Sequence, residues 1–102
     1  MKAVDILTHA SLLMEERGRQ YDKPEGERSM ASCVAAFNAI TGHALTESDG
    51  WLIMALLKMV RQWQNPEKVH ADSLLDGVAY MALLAESRMC STQSGTVDFG
   101  ME

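Results

Sequence analysis

The stretch from Trp51 to Leu84, WLIMALLKMVRQWQNPEKVHADSLLDGVAYMALL, leaves this chain few ways to fold. Its first half is nearly all hydrophobic, and the charges it carries, Lys58 and Arg61, are basic. Its second half opens with Asp72 and Asp76, one helical turn apart, and Tyr80 follows one turn later. Between the halves stands Pro66. Proline lacks an N–H and clashes with the preceding turn, so it ends a helix. The NPEKVHA connection is short enough that the helices on either side should lie antiparallel and adjacent. A helical hairpin is the expected centre of the molecule.

The other elements follow from spacing. Ile6, Leu7, Ala10, Leu13 and Met14 recur at threes and fours, which predicts a helix from Ala3 to about Arg17 that stops at Gly18. The segment RGRQYDKPEGER, with two glycines, a proline and seven charges, reads as an exposed loop. A second helix is expected from Ser29 to Ile40, burying Met30, Cys33, Val34, Phe37 and Ile40, with Gly42 just past its end. Thr46 and Asp49 are spaced as a capping box for the third helix, which should run to about Gln64. The fourth is expected from Asp72 to Met89, burying Leu74, Leu75, Val78, Ala82 and Ala85. Residues 1–90 then form one helical domain. The aperiodic tail at 91–102 should be flexible.

Composition supports all-α. Aromatic residues are 6% of the chain against eight methionines, which suits an adaptable aliphatic core better than aromatic-rich strands. A domain of 102 residues buries only roughly two-thirds of its unfolded surface, and the third helix is apolar nearly all round. We therefore expect a four-helix bundle completed by self-association, as a homodimer or higher homo-oligomer. A net charge of −5 without a Lys/Arg run argues against nucleic-acid binding. The longest apolar run, Trp51 to Leu57, is too short to cross a membrane, and Asp5 and His9 interrupt any signal-peptide pattern. Cys33 and Cys90 show no metal spacing, as in a reduced, cytoplasmic protein.

The candidate site lies on the hairpin. Arg61 and Asp76 are nearly equidistant from the turn and should stand at the same height. Two readings stay open for this cluster. In one, Arg61 and Asp76 form an ion pair that fixes helix register while Asp72 caps the fourth helix. In the other, Lys58 and Arg61 receive the oxygens of a small phosphorylated ligand, while Asp72, Asp76 and Glu16 hold Mg²⁺. Tyr21 and Tyr80 would complete the ligand contacts. Of Trp51 and Trp63, which face different ways, one suits the core and the other an interface. The histidines have no zinc spacing, and no matched base accompanies Ser11, Ser29 or Cys33.

Taken in order, EERGRQYDKP, LLKMVRQ and ADSLLDGVAYMALL resemble a family of small, uncharacterised phage and prophage proteins. Their pattern joins a Tyr-Gly-Asp-Pro loop, Lys-x-x-Arg, and paired Asp followed by Tyr. The resemblance covers about residues 6–87, with Asp22 in place of the loop glycine. More distantly the arrangement is similar to the MazG-like all-α nucleotide pyrophosphohydrolases. That similarity implies a helical bundle assembled as dimers or tetramers, and Mg²⁺ held by Glu and Asp from two helices. Their first acidic motif would fall on Glu15 and Glu16, with Arg19 where a third acid stands. Asp72 and Asp76 are one residue further apart than the acids of the second. The expected function is that of a phage-type accessory protein that binds a nucleotide or another small phosphorylated ligand, and the MazG-like similarity implies Mg-dependent pyrophosphohydrolysis if it is an enzyme. A non-catalytic protein–protein interaction module is the competing expectation.

Overall fold

The computed structural model describes residues 1–21 and 29–90, the side chains of residues 18–21 apart. Four α-helices make up these residues: α1 (Ala3–Tyr21), α2 (Met30–Thr41), α3 (Glu47–Trp63) and α4 (Ala71–Cys90). The fold is an all-α bundle, as expected. The antiparallel pair α3/α4 is its centre, with α1 lying against α4 and α2 against α3.

The ends of the helices are set by local chemistry. Thr46 Oγ1 accepts from the Asp49 N–H, and the Asp49 carboxylate accepts from the Thr46 N–H, so both orphan donors at the start of α3 are met. Gly42 closes α2 at φ 77°, where its N–H donates to the Asn38 carbonyl. Only a residue without Cβ takes that conformation at no steric cost. At the other boundary α1 continues through Gly18 to Tyr21. A single glycine costs about 1 kcal/mol inside a helix, which the Arg, Gln and Tyr after it can tolerate. The segment at 22–28, most of the expected loop, and the tail at 91–102 lie outside the described residues.

Two side-chain amides hold the connections. Asn38 donates to the Leu45 carbonyl and accepts from the Leu45 N–H, each at 2.9 Å. Gln62 donates to the Lys68 carbonyl and accepts from the His70 N–H, each at 2.8 Å. Each amide thus satisfies two backbone groups in a turn that has no ladder of its own.

The core is small. Its buried hydrophobic residues among those described are Ala10, Val34, Trp51, Ala55 and Ala79, three of them alanine. Several positions expected inside are outside: Ile40 is 84% exposed, Phe37 43% and Leu74 36%. Cys33 and Ala82 are also exposed. On α4 the buried residues are Ser73, Gly77 and Ala79; Gly77 faces Met59 and Lys58 of α3, whereas Ala79 lies with Val78 and Ala82 against Leu7, Ala10 and Met14 of α1. A Cβ on Gly77 would lie 2.6 Å from Met59 Cε, which shows how closely the two helices approach. Close approach at small residues sets the interhelical face here, and bulk hydrophobicity does not.

Candidate functional site

Asp76 and Tyr80 of α4 face α3, on the side of the helix away from Val78 and Ala82. Successive residues of a helix are offset by about 100°, which puts Trp51, Ala55, Lys58 and Gln62 on one narrow arc of α3 and Arg61 beside it. The arc that faces α4 is the one with Lys58. Lys58 Nζ stands 3.1 Å from Asp76 Oδ2, with the two side chains 12% and 14% exposed. The other carboxylate oxygen, Oδ1, accepts from Arg17 Nη2 at 2.9 Å. One carboxylate from α4 therefore serves a lysine from α3 and an arginine from α1. Burial raises the pKa of Asp76, but the hydrogen bonds and charges of Lys58 and Arg17 outweigh it and hold the group below its ordinary value.

Aromatic rings continue the row. Lys58 Nζ lies 6.0 Å from the centroid of the Tyr80 ring, which stacks on Trp51 with centroids 5.8 Å apart. Trp51 in turn donates its indole N–H to Glu47 at 3.2 Å. An ammonium over a ring face is attracted by the ring quadrupole, so Tyr80 adds a second favourable contact to the cation. Trp51 is the core tryptophan, and Trp63 is 68% exposed.

The expected site is only partly assembled. Lys58, Asp76 and Tyr80 come together as anticipated. Arg61 does not join them: it is exposed, and the ion pair expected between Arg61 and Asp76 forms with Lys58 instead. Height along the hairpin was a sound guide, but direction around the helix decided the partner. Asp72 and Glu16 are also exposed. Among the described residues no three His, Cys, Asp or Glu side chains gather to hold a metal, so the Mg²⁺ set expected from Asp72, Asp76 and Glu16 is not assembled within one chain. Two of Asp76's lone-pair directions already point at cations, which makes it a poor metal ligand. The Tyr21 side chain lies outside the described residues. Arg17 was missed because 59 residues separate it from Asp76 and nothing local marks it. Its place in EERGRQYDKP, the first of the three segments that carry the family resemblance, is the one signal in the sequence.

Fold and cluster together define an all-helical protein with a polar cluster of two cations and one carboxylate between the helices of its central hairpin, towards the turn. Residues 5–88 match the family model described as Domain of unknown function (DUF6378), and the chain belongs to that family. No curated protein and no solved structure matches it. No helix among the described residues is long and apolar enough to cross a membrane.

Proposed function

We propose that this protein binds a small phosphorylated ligand, such as a nucleotide, where Arg17 and Lys58 converge on Asp76. The observation that carries the reading is that, among the described residues, two cations share one carboxylate in a chain whose net charge is −5. Among the described residues Arg17 gives Asp76 one of its five N–H groups, and its side chain is 46% exposed. A guanidinium of that geometry takes phosphate oxygens in pairs. Tyr80, half-buried, lies beside the Lys58 ammonium. The likeness to MazG-like nucleotide pyrophosphohydrolases and to phage accessory proteins favours a nucleotide among phosphorylated ligands. The donor set does not fit a resident Mg²⁺, so we propose binding and derive no hydrolytic step.

Calorimetric titration of the full chain with nucleoside triphosphates and with inorganic phosphate, with and without Mg²⁺, tests this. Binding that does not require Mg²⁺ and weakens at least tenfold in Lys58→Gln and Arg17→Gln is the expected result. Silence up to millimolar ligand, or binding indifferent to both changes, rejects it. The second reading, an interaction module in which the cluster only fixes helix register, is favoured by the uncovered apolar face of α3.

A further inference from the structure

The outer surface of α3 carries six large apolar side chains in the open: Leu52, Ile53, Leu56, Leu57, Val60 and Trp63, each between 39% and 68% exposed. At about 100° per residue they occupy one continuous arc of roughly 140°, opposite the face that meets α4. From Leu52 to Trp63 the arc runs about 16 Å along the helix at ~1.5 Å per residue. Lys58 is turned away into the hairpin, and Arg61 stands at the margin, so no charge falls within it.

We propose that this face of α3 is the interface of a homodimer, in which α3 packs antiparallel against α3 of a second copy. At about 100 Å² exposed per side chain the six offer roughly 600 Å², at the upper limit of the largest patch on a typical monomer and close to the ~800 Å² per partner of a stable interface. Among the described residues the core holds three alanines, a valine and a tryptophan while sixteen large hydrophobic residues stay exposed. A helix at the centre of its bundle would otherwise face water with its most apolar side. Charge sets the direction of pairing. The first turn of α3 carries Glu47 and Asp49 and its last turn Arg61. Antiparallel pairing brings acidic ends and basic ends together and opposes the helix dipoles, whereas parallel pairing stacks like on like. The patch is uncharged and continuous, so a twofold can pair it with itself, and a second copy is the partner always present at equal concentration.

Sedimentation equilibrium of the full chain over a micromolar range should give twice the 11.3 kDa chain mass. Leu56→Asp, at the middle of the arc, should weaken association by roughly 100-fold or more, because the new carboxylate is desolvated against its own copy. Far-ultraviolet circular dichroism should stay helical. Should that variant unfold, the wild type supplies its own readout: on dilution, emission from Trp63 should shift to the red as the dimer separates, with Trp51 buried throughout. A monomer at all these concentrations overturns the proposal, as does a dimer that Leu56→Asp leaves intact. Mixed Leu52→Cys and Val60→Cys proteins, with Cys33 and Cys90 changed to Ala, should form the 52–60 disulfide in preference to 52–52 and 60–60. The reverse preference overturns the antiparallel arrangement.

Discussion

Lys58 Nζ and Asp76 Oδ2 stand 3.1 Å apart across the α3/α4 interface, both nearly enclosed, with Arg17 closing the open side of the carboxylate. Enclosure makes the pair asymmetric in its energetics: forming it gains little over an apolar contact, but breaking it strands a charge. Asp76→Ala should therefore destabilise the protein by about 2 kcal/mol, because Lys58 keeps its charge in a setting with little water. Arg17→Ala, which removes a half-exposed partner, should cost under about 1 kcal/mol. Urea unfolding of the two variants checks the order. Equal effects would mean that Lys58 finds another partner.

The same carboxylate gives stability a pH dependence. The pKa of Asp76 is lower in the folded protein than in the unfolded chain, so the folded state favours its ionised form. Its contribution is fully present above the unfolded-chain value near 4 and is lost as pH falls through the folded value. Asp49 follows the same rule: hydrogen bonds from the Thr46 backbone N–H and its hydroxyl lower its pKa. Midpoints of thermal unfolding should fall between about pH 5 and pH 2, and the fall should be shallower in Asp76→Asn. An unchanged acid limb in that variant would remove Asp76 from the account.

The two amide clamps carry a prediction of their own. Gln62 is 8% exposed and holds one donor and one acceptor of the 64–70 connection. Gln62→Leu keeps the volume but leaves the Lys68 carbonyl and the His70 N–H to find water. A loss of about 1–3 kcal/mol follows. Asn38→Leu at Leu45 should behave alike, and hydrogen exchange should quicken at the amides of His70 and Leu45 respectively. Exchange unchanged at those two amides would show the clamps to be dispensable.

How much of this was legible beforehand depends on the range over which each signal acts. The capping box at Thr46 and Asp49, the left-handed Gly42 and the Pro66 hairpin are local, and each could be read from a few neighbouring residues. Gln62 and Asn38 were not legible, since a polar residue inside a helix pattern looks like surface until the connection folds back on it. The buried face of α4 was misjudged for another reason. Apolar periodicity marks every face that avoids water: Val78 and Ala82 lie against α1, whereas the contact with α3 uses Asp76, Gly77 and Tyr80. Of the candidate site, Lys58, Asp76 and Tyr80 could be grouped because they share a hairpin. Arg17 comes from a helix that reaches α4 only in three dimensions.

Two glycines separate packing from propensity. A Cβ at Gly50 would collide with Met30 Sδ and stand 3.0 Å from both Met30 Cγ and Val34 Cγ2, where α2 crosses α3. At Gly77 the nearest atom is Met59 Cε at 2.6 Å, the free end of a flexible chain, and the next is Lys58 Cβ at 3.8 Å. Alanine gains about 1 kcal/mol over glycine inside a helix at either position. At Gly77 that gain should offset the displacement of one methyl group, so Gly77→Ala is expected within about 1 kcal/mol of wild type. At Gly50 the branched Val34 cannot rotate away as easily, and α2 must shift outward. Gly50→Ala should therefore destabilise by about 1–3 kcal/mol, in line with other overpacked sites. Chemical denaturation of both variants decides the matter, and a Gly50→Ala protein as stable as Gly77→Ala would mean that α2 is not held against α3 by the Met30–Val34 contact.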